Sequence, residues 1–350
     1  MLHGRLTGAA AGVLAAALLA CSQEPPGPDL DVFRGRSMGT RWEVSVVSPG
    51  LTPERRVELA GVIESALDRV DSLMSHYRED SELSRFNRST GLAPFPVSGD
   101  TLEVLRVALE VGTLSGGALD VTVAPLVEAW GFGPGPPPEH PPGEARIAEL
   151  LEVVGLDRIR LDPAAATVAR TRPGVALDVS AVAKGHAVDL VALALAREGL
   201  ENALVEVGGE VRAAGRNASG EPWRIGIELP QAGLPALHSV VPLSGAALAT
   251  SGEYRNFRIV DGVRASHTID PRSGRPIRHR LASVSVVSAT CARADALATA
   301  LNVLGPEAGW ELAVAEDLAA LFLVARPEGG FEERRTPAFE RLAATTPLLE

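Results

Sequence analysis

Between Cys291 and Leu304 an Ala- and Leu-rich run carries one carboxylate, Asp295, and one hydroxyl a turn later, Thr299. Wound as a helix, the run sets Ala292, Asp295 and Thr299 on one face, because residues three and four apart stack over each other. An ionised carboxylate buried without a partner is costly, so such a group calls for a cation, a metal or a proton nearby. The same face would equally serve as a wet edge, and taken alone exposure is the commoner fate of a carboxylate.

Four other polar clusters have residue types suited to chemistry. Gly116-Gly117-Ala118-Leu119-Asp120, followed by Trp130-Gly131-Phe132, offers close backbone approach and an aromatic pair that would wall a flat ring, or a tight turn with a core tryptophan. From Asp178 to Asp189, a strand feeding a helix with Lys184 in its first turn would bring free N–H groups and an ammonium together, which suits a phosphate. That segment lacks the glycines and the Ser or Thr of a Walker A loop, and an N-capped helix with a solvated lysine explains it as well. Ala249 to Arg255 is a hydroxyl- and Gly-containing turn, and its hydroxyls would meet a phosphate or merely close the turn. His267 and Asp270, ahead of the Pro271 to Pro276 turn, have the types of an acid/base pair, or of a surface turn.

The elements that must hold these clusters are read from periodicity. Arg41 to Val47 alternates as a strand, and Val57, Ile63, Leu67, Val70 and Met74 mark a helix over residues 53–75. Thr101 to Leu114 and Val182 to Glu198 read as further helices, and Gly133 to Gly143 as a proline-rich surface loop. Short strands are expected at 158–161, 167–170, 204–207, 211–214, 223–228, 238–241, 254–260 and 282–288. After the Asp295 helix come a helix from Pro306 to Ala315 and a last buried strand from Ala319 to Val324. Strands and helices mix without a βαβ rhythm, which favours an α+β fold, one large domain with two lobes.

The chain of 350 residues has 46% hydrophobic and 22% charged residues, as a packed globule does. Its formal net charge of −11 and the absence of a basic tract argue against general nucleic-acid binding. Met1 to Ala20 has the short basic start and apolar run of an export signal, and Leu18-Leu19-Ala20-Cys21 resembles a bacterial lipobox, in which the Cys is lipidated. Residues 1–20 are therefore expected to be a lipoprotein signal peptide, residues 21–31 a Pro-rich tether and residues 32–340 the folded domain. Cys291 is then left without a disulfide partner.

Each cluster is weak alone, but their order is specific. Met38-Gly39-Thr40, Tyr77 with Ser81 to Asn87, Gly117 to Pro125, Asp178 to Asp189, Val207-Gly208-Gly209-Glu210, Ala249 to Tyr254, His267 to Pro276 and Asp295 to Thr299 resemble, in sequence, the ApbE family. The resemblance spans roughly Val32 to Val324. It implies a bacterial FAD:protein FMN transferase, commonly a lipoprotein on the extracytoplasmic (periplasmic) side of the cell membrane. Such enzymes use FAD and a divalent metal, usually Mg2+. They cut the FAD pyrophosphate, join FMN by a phosphoester to a Thr or Ser of a target flavoprotein, and release AMP.

Carried over by position, the resemblance makes Asp295 and Thr299 side-chain metal ligands, with the backbone carbonyls of Ala181 and Ala292. It makes Met38, Tyr77, Ala118, Leu119, Asp120, Asp178, Lys184 and Thr268 contacts of the flavin nucleotide. His267 is the expected base for the acceptor hydroxyl, Asp270 the second candidate, and Lys184 stabilises charge on the pyrophosphate. Leu119 stands where many relatives carry Phe, and Ala181 where many carry Gly. Two other functions keep much of this site: a metal-dependent FAD pyrophosphatase with water as nucleophile, and a lipoprotein that stores FAD.

Overall fold

The computed structural model describes residues 29–231, 236–252, 257–260 and 263–344. The expected signal peptide, the lipidated Cys21 and most of the tether lie outside the described residues, as do Glu253, Tyr254 and Arg255.

Eight strands form one antiparallel sheet whose spatial order follows the chain. They are Asp29–Ser37, Thr40–Ser48, Ala203–Val207, Glu210–Ala214, Ala246–Gly252, Leu281–Ser288, Ala319–Ala325 and Phe331–Arg335. Trp42, Val44 and Val46 point into the core from the second strand, as the alternation requires. Val284, Val286, Leu321 and Leu323 are buried on two adjacent central strands, because the sheet is covered on both faces.

Helices Pro53–Met74, Gly99–Leu114, Ser180–Arg197 and Cys291–Ala315 pack on one face around the main core. Thr52, Ser98 and Thr290 each accept an amide of the first turn of three of these helices, caps worth about 1 kcal/mol apiece. The opposite face is covered by the hairpin Trp223–Glu228 with Leu237–Leu243 and by helix Pro337–Ala344, whose Phe339 is buried there. A smaller lobe gathers Leu126, Trp130, Ile147, Leu150 and Ile269 around helices Ala124–Ala129 and Glu144–Leu151. The architecture is thus α+β with two lobes. Among the described residues, no helix is long and apolar enough to cross a membrane.

Four expectations need correction. The first strand begins at Asp29 and pairs Asp29 with Ser48, so Leu30 and Asp31, expected in the tether, belong to the sheet. Val57 is 74% exposed and Leu59 takes the inward place, since Leu59 lies one turn before Ile63 and Val57 does not. Ala249 to Gly252, expected in a turn, are instead the end of the strand Ala246–Gly252 and pair with Leu281–Ser288. No strand precedes the Ser180–Arg197 helix at Asp178; the segment is held instead by the Asp178 amide donating to Val121 O at 2.7 Å and by Leu177, whose amide donates to Asn87 Oδ1 at 2.7 Å.

The run from Cys291 to Ala315 is two helices joined at Gly305, whose φ of 80° breaks the spiral before Pro306 restarts it. A side chain at Gly305 would also strike His279, whose Cδ2 lies 2.8 Å from an ideal Cβ there.

Candidate functional site

The Ser180–Arg197 and Cys291–Ala315 helices cross where a side chain cannot fit. An ideal Cβ on Gly185 would lie 2.6 Å from the Cys291 carbonyl carbon and 2.7 Å from Ala292 N. One turn further along the first helix, Asp189 caps the second: Oδ1 accepts Cys291 N–H and Oδ2 accepts Ala292 N–H, both at 3.0 Å. Arg212 holds Asp189 in turn, donating to Oδ1 at 2.6 Å. The crossing lets the Gly185 amide donate to Asp295 Oδ2 at 3.1 Å.

Asp295 is therefore buried, 3% exposed, and not at a wet edge. The Lys184 ammonium lies 3.7 Å from its Oδ1 and donates to Glu210 Oε1 at 2.6 Å. Burial pushes the Asp295 carboxyl up to about 7, and the Glu210 charge adds to this, while Lys184 and the Gly185 amide pull the other way. Burial lowers the Lys184 ammonium, but the charges of Asp295 and Glu210 outweigh it and the net shift is upward, so the lysine stays protonated. Lys184 belongs to the second turn of its helix, not the first, and its head meets these carboxylates instead of the helix start.

These groups line part of a cleft of about 1070 Å³. Its walls include Met38, Tyr77, Ala118, Leu119, Asp120, Asp178, Ala181, Lys184, His267, Thr268, Asp295 and Thr299. Met38 reaches it from a two-residue hairpin in which Met38 and Gly39 have φ of 50° and 71°, the left-handed pair of a type I′ turn. Tyr77 is 69% exposed beside the His76 ring, their centroids 4.4 Å apart, which leaves a flat face for a ligand. Asp178 accepts the Ser180 amide at 2.8 Å, and Asp120 Oδ1 accepts the Thr122 hydroxyl and amide at 2.6 and 2.8 Å. Burial raises the Asp120 carboxyl, and those Thr122 donors oppose the rise. His267 and Thr268 follow the Val263–Ser266 strand, where the Thr268 amide donates to Ser266 Oγ at 3.0 Å.

Two expected site residues are placed apart from the cleft wall. Asp270 is held by Arg272, whose Nε and Nη2 donate at 2.9 and 3.0 Å, so its carboxylate is committed to a turn. Ala292 lies in the capped first turn of its helix, where its amide serves Asp189. The aromatic pair divides: Trp130 is core, donating Nε1–H to Gly274 O at 2.8 Å, and Phe132 is on the cleft wall. Glu210 is the residue to which sequence reasoning gave no role. It is 4% exposed, and its Oε2 finds no hydrogen-bond partner among the described residues.

The donors fit a hard divalent cation. Asp295 supplies a carboxylate, and Thr299 a hydroxyl 3.2 Å from Ser251 Oγ. The amide that closes the helical bond to the Ala181 carbonyl is that of Gly185, which also reaches Asp295, and the carbonyl oxygen has a second lone pair. An all-oxygen set with room for water and phosphate suits Mg2+. Among the described residues no group of three or more His, Cys, Asp or Glu side chains is placed to hold a metal, so backbone and hydroxyl oxygens must complete the shell. The cleft also needs positive charge to take a phosphate: Asp71, Asp120, Asp178, Glu206, Glu210, Glu228 and Asp295 line it against Arg78 and Lys184.

A mixed α+β domain with an acidic, nucleotide-sized cleft, walled in part by Lys184, Glu210 and Asp295, is the frame of a transferase enzyme. The chain belongs to the ApbE family, whose model matches residues 38–322. It is 40% identical over 328 residues to an FAD:protein FMN transferase of Vibrio cholerae serotype O1, covering 93% of this chain and 96% of that one. An FAD:protein FMN transferase of Salmonella typhimurium is 39% identical over 344 residues, 96% of this chain and 97% of the relative. Among solved structures, the flavin transferase ApbE from Vibrio cholerae superposes with a TM-score of 0.81 at 39% identity, covering 90% of this chain and 99% of that one. The apo flavinyl transferase ApbE of Pseudomonas stutzeri has the same TM-score at 38% identity, with 90% and 97% covered.

Proposed function

We propose that the protein is an Mg2+-dependent FAD:protein FMN transferase that joins FMN through a phosphoester to a Thr or Ser of a target flavoprotein and releases AMP. The observation that carries this reading is that Lys184, with Asp295 3.7 Å away, and Thr299, a turn beyond Asp295, line the same cleft as Met38, Tyr77 and Leu119. A store of FAD would need no cation seat at the pyrophosphate.

Asp295, Thr299 and the Ala181 carbonyl would hold the metal, with Ala292 outside the cleft wall. When bound, the metal supplies Lewis-acid stabilisation of charge on the pyrophosphate oxygens, an effect of several kcal/mol. Tyr77 and Phe132 flank the flavin with aromatic faces, and Met38 covers it from the hairpin tip. Lys184 sets a fixed positive charge beside the phosphates. His267 takes the proton of the acceptor hydroxyl as its oxygen bonds to the FMN phosphorus; the bond to the bridging oxygen breaks, and AMP leaves with the electron pair. Asp270, bound to Arg272, orders the turn that carries His267.

The deciding experiment incubates the purified domain with FAD, Mg2+ and a flavoprotein subunit carrying an acceptor Thr. The expected result is a covalent FMN mass shift on the subunit. Free FMN and AMP without that shift would assign a pyrophosphatase, and intact FAD would leave only binding. The order Leu18-Leu19-Ala20-Cys21 supports the further reading that the protein is anchored through lipidated Cys21 on the periplasmic side of a membrane. Cys21→Ala should then move it from the membrane to the soluble fraction.

A further inference from the structure

We infer that Lys184 is an internal cation holding the divalent ion's place beside Asp295, and that Glu210 is the carboxylate that retains the ammonium when the ion arrives. This rests on the cation site proposed above. The Lys184 ammonium is 2.6 Å from Glu210 Oε1 and 3.7 Å from Asp295 Oδ1, so it is bonded to one buried carboxylate and within electrostatic reach of the other. Lysine suits the task, because its ammonium is a compact charge on a flexible stem with three rotatable donors. Glu210 Oε2 is buried and unpartnered among the described residues, so Glu210 can accept a second bond from the same ammonium once Asp295 turns to a metal. With both carboxylates ionised, they and the ammonium sum to a single negative charge. A divalent ion turns that sum to a single positive one, ready for an anionic pyrophosphate. Without the Glu210 charge the ammonium would pair wholly with Asp295 and oppose the ion.

The test is calorimetric titration of the FAD-free protein with MgCl2 at one fixed pH, which reads ion binding and not turnover. Glu210→Gln keeps an acceptor for Lys184 but removes the charge, and should weaken Mg2+ binding about tenfold or more. Lys184→Gln should tighten binding by a similar factor, and in the Glu210→Gln background it should restore affinity toward that of the parent protein. The double variant also covers the case in which Lys184→Gln alone, with two unneutralised buried carboxylates, fails to fold. Weaker binding on loss of Lys184 in the Glu210→Gln background, or an unchanged affinity in Glu210→Gln, overturns the exchange. Absence of any Mg2+ binding by the parent protein overturns the cation site itself, and the exchange with it.

Discussion

The Gly185 amide donates to Asp295 Oδ2 at 3.1 Å, a bond between two helices whose backbones touch at that point. The bond exists because Gly185 has no side chain, and the site depends on that absence. Gly185→Ala must drive a methyl into the Cys291 carbonyl and Ala292 N, neither of which can rotate away. Overpacking of this kind costs about 1–3 kcal/mol, and the contact with backbone places this case at the upper end. Urea unfolding should show that loss, and FAD cleavage should fall with it as Asp295 leaves its seat.

Asp295→Asn should abolish metal-dependent cleavage of FAD while the fold persists. Its effect on stability has a definite sign. The folded-state carboxyl is raised to about 7, above its unfolded value, so its contribution to stability is full below the ordinary carboxylate range and is lost as pH rises through about 7. In chelator-treated protein, urea midpoints of the parent should therefore carry a decline over that window that the Asn variant lacks. Equal pH profiles of the two would refute the assignment.

His267→Ala should slow transfer by about 10²–10⁴-fold, the usual worth of a general base, and should remove the acidic limb of the rate profile. FAD binding measured by fluorescence should change little. A rate that stays at the parent level would send the search for the base elsewhere on the cleft wall.

Trp130 and Phe132 are two residues apart and should behave differently. Trp130→Ala empties the small-lobe core and unmakes the bond to Gly274 O, at a cost of about 3–5 kcal/mol. Phe132→Ala should weaken FAD binding by several-fold to about tenfold, the range of a lost aromatic contact, with a smaller loss of stability. Equilibrium unfolding and FAD titration on both variants separate the roles.

His186 and His279 should make the protein acid-labile. Burial lowers the folded-state value of both rings, although Asp100 near His186 and the Asn302 carbonyl at His279 oppose it. A depressed group contributes stability above its unfolded value and loses it as pH falls through the folded one. Unfolding midpoints should therefore drop as pH falls from about 6.5 downward, the ordinary range of a histidine. His279→Gln should flatten part of that drop.

Much of this arrangement is legible in the sequence, for identifiable reasons. Asp295 and Thr299 stand one turn apart on an apolar helix, and the spiral fixes their common face. Glu210 was equally accessible to reasoning. Val205 and Val207 point inward, two glycines with positive φ close a two-residue turn, and Glu210 pairs directly with Val207, so it must point inward too. Directly paired residues share a face, and that parity was the missed signal. Other features depend on partners far away in the chain. Phe331–Arg335 is an edge strand of charged residues whose pattern shows no core, and only its ladder with Ala319–Ala325 makes it a strand. Arg272, only two residues beyond Asp270, is by contrast a local partner that the turn itself offers, whereas nothing local in Lys184 reveals that its ammonium meets Glu210 and Asp295.

The sheet runs in chain order, yet Gly185 and Asp295 are 110 residues apart. A chain halted before residue 290 would contain Met38, Tyr77 and Leu119 of the cleft wall, but neither Asp295 nor Thr299. Contacts of such long separation carry a loop-closure cost that must be met before they reward folding. The crossing that seats Asp295 beside Gly185 is therefore a property of the finished chain alone.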